Sequence, residues 1–273
     1  MWVCVFGELL NYDIKILDSK EFVTQKIDGV KITELSDLAF DDGVLYSVGD
    51  QGVLYTFSLI IKDKKIEQIK PLKAMKLKSN RDAEGLCLAD GRLLISFERK
   101  PSVEYFTFHA KKIKDAKIDK KLLNIDNYRS KNKALEAVTY NKKYGVVTAP
   151  ELPLKNKNIC NHTIYTQKKG KFSFSACGCI TALEFIDEYR VLVLLRDYSY
   201  LNGHLIITLL SVDFLSGDVD TLLKMDSQKG WEIDNFEGLT KVGENLYLMV
   251  SDDNESMFQK TLFVLFALKI HLK

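Results

Sequence analysis

The feature that most constrains this chain is a repeat. Five segments begin alike: Ser36-Asp-Leu-Ala-Phe40, Glu84-Gly-Leu-Cys-Leu88, Glu136-Ala-Val-Thr-Tyr140, Thr181-Ala-Leu-Glu-Phe185 and Glu237-Gly-Leu-Thr-Lys241. Each sets a polar residue before a small or short one and then runs into an apolar alternating stretch. Subtracting positions gives spacings of 48, 52, 45 and 56 residues. A turn rich in Asp, Asn, Gly or Lys follows each start, and then a second apolar run: Val44–Val48, Leu93–Phe97, Gly145–Thr148, Val191–Leu195 and Leu246–Val250. Third runs follow at Leu54–Leu59, Val103–Phe108, Ile206–Phe214 and Leu262–Leu268, with weaker fourth runs at Lys171–Ala176 and Val219–Lys224.

Short runs of period-two alternation broken by tight turns form antiparallel meanders. Four such strands in a unit of roughly 40–50 residues, repeated, are the pattern of propeller blades. A sandwich or barrel is the competing all-β reading, and it leaves the recurring start unexplained. The expectation is therefore an all-β chain forming a single β-propeller domain over residues 1–273, with blades starting near 36, 84, 136, 181 and 237. Only 36 residues follow Glu237, enough for three strands. A fourth, expected at Glu21–Ile27, must come from the N-terminal segment and join the C-terminal blade, closing the ring and removing a free edge. Five blades is the reading; six, with some abbreviated, is the alternative. No Pro/Gly/Ser linker marks a domain boundary.

In a propeller the first strand of each blade lines the channel and the second runs antiparallel beside it. The start of the first strand thus lies beside the end of the second, on one face of the disc. First-strand starts carry Glu34, Asp82 with Glu84, Glu136, and Asp234 with Glu237. Second-strand ends carry Asp50, Glu98, Glu151, Asp197, and Asp252 with Asp253, and Arg81, Arg99 and Arg196 sit at the same heights. All are expected to meet in one acidic funnel at the channel mouth. Confined carboxylates repel one another and stay ionised only beside a cation, an arginine or backbone N–H groups. Oxygen ligands in such number suit Ca²⁺ or Mg²⁺, and paired carboxylates suit acid–base work. Acids at strand starts also serve as staples to the next blade, which is the competing role for any one of them.

Composition narrows the partners. Thirty-nine basic residues against 37 acidic leave no field that would draw nucleic acid. Lysines gather in Lys111–Lys121, Lys131–Lys133, Lys155–Lys157 and Lys168–Lys171, and are read as a solvated rim. No stretch approaches the roughly 20 apolar residues of a membrane span. The start, Met1–Leu10, is apolar but lacks a basic region and is interrupted by Glu8, so it is either a remnant of an export signal or a first strand. A monomer in the periplasm or secreted is expected, holding a small anionic or cationic ligand at the funnel. Cys4 and Cys87 lie in apolar runs, and Cys160, His162, Cys177 and Cys179 form C-x-H and C-x-C pairs. Free thiols are the expectation; a disulfide from Cys160 to Cys177 or Cys179, and a zinc site, are the alternatives.

Other chemistry has little footing. The chain has no G-x-S-x-G, P-loop or H-E-x-x-H motif. Its histidines (His109, His162, His204 and His271) pair with no nucleophile and read as surface or hydrogen-bonded strand residues. Trp231, Tyr198 and Tyr200 read as packing between blades, with a funnel lining as the alternative.

At its motifs the chain resembles the phytase-like family, also described as "esterase-like activity of phytase". Asn235-Phe-Glu-Gly-Leu239, Ser251-Asp-Asp-Asn254 and Gln259-Lys-Thr-Leu262 are similar to that family's N-F-E-G-L, V-S-D-D-N and Q-x-T-L signature. Glu34-Leu-Ser-Asp-Leu38 is similar to its E-L-S-G-L opening, with Asp37 where Gly is usual. Arg81-Asp-Ala-Glu-Gly-Leu86 with Ser96-Phe-Glu-Arg99 resembles its D-x-E-G-I and S-x-E-R unit. The resemblance implies a propeller, often exported, with a phosphate-ester or carboxylester hydrolase activity. Related calcium-dependent phytases hold Ca²⁺ in an acidic mouth. Carried over, that makes Asp82, Glu84, Glu98, Glu136, Glu237, Asp252 and Asp253 metal ligands, Arg81 and Arg99 anion contacts, and Glu84, Glu237 and Arg81 the catalytic set. The repeat at Thr181 lacks the leading Glu and that at Glu136 lacks the Gly. A non-catalytic envelope propeller that binds a ligand or protein is the alternative.

Overall fold

The computed structural model describes residues 10–78, 82–199, 201–256 and 259–272. In chain order the strands are β1 (Leu10–Phe22), β2 (Lys26–Ile27), β3 (Val30–Lys31), β4 (Leu35–Asp41), β5 (Val44–Gly49), β6 (Val53–Lys62) and β7 (Lys65–Lys76). They continue as β8 (Ala83–Leu88), β9 (Leu93–Phe97), β10 (Ser102–Phe106), β11 (Lys112–Asp115), β12 (Leu135–Asn141), β13 (Gly145–Pro150), β14 (Asn161–Thr166) and β15 (Gly170–Ser175). The last are β16 (Cys179–Phe185), β17 (Arg190–Ser199), β18 (His204–Asp213), β19 (Val219–Asp226), β20 (Phe236–Gly243), β21 (Leu246–Ser251) and β22 (Thr261–Leu272).

Apart from the small β2–β3 hairpin, these form five four-stranded antiparallel sheets: β4–β7, β8–β11, β12–β15, β16–β19, and β20–β22 completed by β1. The first strand of each blade touches that of the next, β4 to β8 to β12 to β16 to β20 and back to β4, so the ring closes. Five blades is the architecture. Inner strands such as β9 and β13 are buried at consecutive positions, so both of their faces pack, and five buried clusters fill the five gaps between neighbouring blades. Tight turns match their residues: Asp41 pairs with Val44, leaving Asp42 (φ 42°) and Gly43 (φ 82°) as a two-residue loop with both φ positive.

The closing strand is β1, not Glu21–Ile27. β1 pairs with β22 from Leu10↔Leu272 to Phe22↔Thr261. A register shift between Ile16 and Asp18 changes its face. Tyr12, Ile14 and Ile16 pack toward blade 4, whereas Leu17 and Phe22 pack toward blade 1. That break in alternation hides the strand in the sequence. Lys26–Ile27 instead pairs with Val30–Lys31.

The cysteines also differ from expectation. Cys160 and Cys177 form a disulfide, because β14 and β15 pair Asn161 with Ser175 and bring the flanking residues together. It occupies two of the sulfurs a zinc site would need. Cys87 and Cys179 are free, while Cys4 and the rest of Met1–Leu9 lie outside the described residues. No described helix is long and apolar enough to cross a membrane.

Two carboxylates, one buried and one half-buried, tie the inner strands together. Asp37 is fully buried and accepts from the N–H groups of Leu38 (2.8 Å), Leu86 (2.8 Å) and Leu239 (2.9 Å), spanning blades 1, 2 and 5. Glu184 accepts from Phe185 N–H (2.8 Å) and Lys241 N–H (3.3 Å), joining blades 4 and 5.

Candidate functional site: a buried carboxylate cluster

Each repeat start sits at a β-bulge. In blade 1, Leu35 faces Gly49 and Asp37 faces Val48, leaving Ser36 as the extra residue. The same one-residue slip falls at Glu84–Gly85, Glu136, Thr181 and Glu237. Bulges release a side chain from the pleat and re-aim it, which is how a strand-start residue is freed to turn toward the axis. The small residue that follows has its own cause. A Cβ on Gly85 would sit 2.6 Å from Glu136 O and 2.8 Å from Val138 N, and one on Gly238 would sit 2.8 Å from Asp37 Cα. The next blade approaches too closely for a side chain there.

The register also fixes the equivalent second-strand positions as Asp50, Glu98, Glu151, Arg196 and Asp252. Each directly follows the partner of the first-strand residue just before the bulge (Leu35, Ala83, Leu135, Ile180 and Phe236), namely Gly49, Phe97, Pro150, Leu195 or Ser251. Blade 4 therefore contributes Arg196, not Asp197. A one-residue step along a strand reverses the face; Asp197 is exposed and lines a separate cleft.

Most of the others meet. One carboxylate oxygen from each of Glu98, Glu136 and Glu151 lies within 4.8 Å of the other two, and all three residues are buried. Burial, then the charges of Glu136, Asp50, Glu98 and Glu237, push half-buried Glu84 well above the usual carboxylate range. Burial, then Glu151, Glu237 and Glu98, do the same to Glu136. Asp50 and Glu98 are each raised to about 7, mainly by burial. Asp252 is raised to about 9 by burial and then by Glu237. The cluster is closed over by protein more than the sequence reading expects of an open mouth.

Its cations are few. Arg196 spans the cluster, with Nη1 on Glu237 and Asn235 and Nη2 on Glu151 at 3.2 Å. Lys133 Nζ donates to the same Glu151 oxygen at 2.7 Å. Charge patterning does not mark Lys133 and Asn235 as contributors; Lys133, expected in the solvated rim, is half-buried. Its signal was position, one residue before the stretch that enters a first strand. Cys179, paired in register with Arg196, holds its Sγ 3.6 Å from Lys133 Nζ. Among the described residues, no hydrogen bond reaches the Glu136 carboxylate, although the residue is 6% exposed.

The remaining acids have other partners. Asp253 accepts from Thr33 Oγ1 (2.6 Å), Glu34 N–H (3.1 Å) and Thr261 Oγ1 (3.2 Å), which staples blade 5 to the chain leading into blade 1 and holds its carboxyl below the ordinary range despite burial. Asp82 pairs with exposed Arg99. Glu34 is at the margin, accepting from Gln51 Nε2 at 3.2 Å. Asp234 accepts from the N–H groups of Asn235 and Lys260, both at 2.8 Å. Arg81 and Tyr200 lie outside the described residues. Tyr198 and Trp231 are exposed and do not pack between blades as expected. His162 is bonded to Gly178 O and His204 to Asp226.

Glu98, Glu136 and Glu151 offer hard oxygen donors with too few protein donors to satisfy them, which is the chemistry a Ca²⁺- or Mg²⁺-like ion requires. The fit is good for an ion that completes its shell with water or ligand oxygens.

A family model described as "Phytase-like: Esterase-like activity of phytase" matches residues 30–255. No curated protein matches the chain. Among solved structures, Myxococcus xanthus glutaminyl cyclase is similar in fold, with a TM-score of 0.52, 14% identity, and coverage of 94% of this chain and 97% of that one. A Bacteroides thetaiotaomicron protein of unknown function aligns at a TM-score of 0.45 with 9% identity, covering 96% and 77%. A chain of the Mitotic Checkpoint Complex aligns at 0.40 with 10% identity, and this chain spans 61% of its length while 84% of this chain is covered.

Proposed function

The chain belongs to the phytase-like family, and from that premise we propose that it is a cation-assisted hydrolase of phosphate or related esters, acting as a monomer. One observation carries the reading: Glu98, Glu136 and Glu151 bring three carboxylate oxygens within 4.8 Å of one another, and no described group donates a hydrogen bond to that of Glu136. A group so placed is costly to leave charged and unpartnered. Glu98, Glu136 and Glu151 are the residues that would hold a divalent ion, with Ca²⁺ the first candidate. When bound there, such an ion supplies a positive charge that neutralises the ester oxyanion.

The chain's own groups divide the remaining work. Glu84 is half-buried and has a raised proton affinity; it orients the attacking water, accepts its proton and returns it to the leaving alkoxide. Arg99, whose side chain is 68% exposed, offers its guanidinium to the anionic group, with Arg81, next to Asp82 in sequence, as the second anion contact. Glu237 is held by Arg196 and Asn235 and keeps that arginine in place between the blades. Asp82, Asp252 and Asp253 support the site through their neighbours. The Cys160–Cys177 disulfide favours an oxidising compartment, periplasmic or extracellular.

Turnover of phosphomonoester and carboxylester substrates with Ca²⁺ or with chelator tests the reading. The expected result is Ca²⁺-dependent turnover that is lost in Glu84→Ala. Wild-type turnover in a Glu84→Ala, Glu136→Ala double variant, with no response to Ca²⁺, would remove it.

A further inference from the structure

We propose that the open end of the gap between blades 3 and 4 is a second binding site, for a small molecule carrying an amine and a carboxylate at opposite ends of a short apolar chain. The site exists because neighbouring blades differ in length. β17 and β18 have 10 residues each, whereas β14 and β15 have 6 each, so one face of blade 4 runs past its cover. The uncovered part is a cleft of about 370 Å³, within the roughly 300–1,000 Å³ of small-molecule pockets. The Cys177 half of the disulfide forms part of its wall.

Its chemistry is that of a two-headed ligand site. Buried Leu195 and Leu210 with half-buried Ile206 make an apolar floor. Asp197 and Lys224 stand exposed at either side, and neither has an ion-pair partner among the described residues. Asp197 pairs in register with Ile206, and Lys224 with Thr208, so the two charges lie two strands apart and two residues displaced along the strand. With strands about 4.8 Å apart and about 3.4 Å per residue, their Cα atoms are about 12 Å apart. That span keeps them from neutralising each other directly and matches a ligand whose ammonium meets Asp197 while its carboxylate meets Lys224. β17 alternates, so Arg196 faces the carboxylate cluster while Leu195 and Asp197 face the cleft; the two sites stand back to back and are independent.

The test is calorimetry or chemical-shift mapping on the full chain, without reductant, using 6-aminohexanoate, hexanoate and hexylamine as probes. 6-Aminohexanoate is expected to bind about fivefold tighter than either singly charged probe, an exposed charge contact having about that worth. Asp197→Asn should reduce it to the affinity of hexanoate, and Lys224→Gln to that of hexylamine, with melting temperatures unchanged. Equal affinity for all three probes, an unaltered response in the Asp197→Asn, Lys224→Gln double variant, or no binding at all would overturn the proposal. None of these outcomes bears on ester hydrolysis at the cluster.

Discussion

Two sets of acids with raised proton affinity lie in the first strands, and they differ in one respect. Asp37 and Glu184 are raised in pKa mainly by burial, as are Glu84 and Glu136. Asp37 receives three backbone N–H bonds and Glu184 two, whereas no bond from a described group reaches Glu84 or Glu136. Burial and a raised pKa therefore do not separate a structural carboxylate from a ligand-binding one. The number of protein donors does. The first pair completes the inner strands; the second leaves charge for something else to satisfy.

The largest effect that tests this contrast is Asp37→Ala. It strands three backbone N–H groups in the interior and should cost about 3–5 kcal/mol, lowering the melting temperature by roughly 10 °C while leaving the response to Ca²⁺ intact. Thermal denaturation with and without Ca²⁺ reads both parts. If Asp37→Ala were nearly neutral, its role as a blade tie would fail.

Gly85→Ala comes next. Its new Cβ meets backbone of blade 3 at 2.6 and 2.8 Å, so it should cost about 1–3 kcal/mol and, by displacing Glu136, weaken the Ca²⁺ response as well.

The pH dependence is smaller. Asp50 and Glu98 titrate at about 7 and Asp252 at about 9 in the folded chain, above their unfolded values near 3.8 and 4.5. The folded state thus binds more protons than the unfolded one, and its stability is full at acid pH and falls as these groups ionise. In chelator the melting temperature should drop by about 5 °C between roughly pH 5 and 9, and Ca²⁺ should flatten the slope. A rise with pH would contradict the assignment. The smallest effect is expected at Asp197→Asn, which should leave stability within about 0.5 kcal/mol and the Ca²⁺ response unchanged, because its face of β17 points away from the cluster.

The fold was legible because a propeller repeats its hydrophobic alternation and its turn chemistry, so Glu84, Glu136 and Glu237 announce equivalent positions. The acids at Asp50, Glu98, Glu151 and Asp252 were legible from antiparallel geometry alone. Asp197 was misplaced for a local reason: its strand carries Arg196 at the equivalent register, and alternation assigns the two neighbours to opposite faces. The bulges themselves were not readable, since an extra residue in a strand shows only against its partner. The same limit hid β1, whose alternation changes face at Leu17. Lys133 was masked by the lysines around it, and the Cys160–Cys177 pairing depended on the β14–β15 register.

The central claim is that Glu98, Glu136 and Glu151 converge, with no described donor to Glu136, because an ion completes them. Calorimetric titration of Ca²⁺ into the wild-type chain and Glu136→Gln, both at neutral pH, addresses it most directly. The account predicts saturable binding by the wild type and at least about tenfold weaker binding by the variant, which itself should melt no lower than wild type in chelator. Equal affinity in the two proteins, or no binding by the wild type, would contradict it.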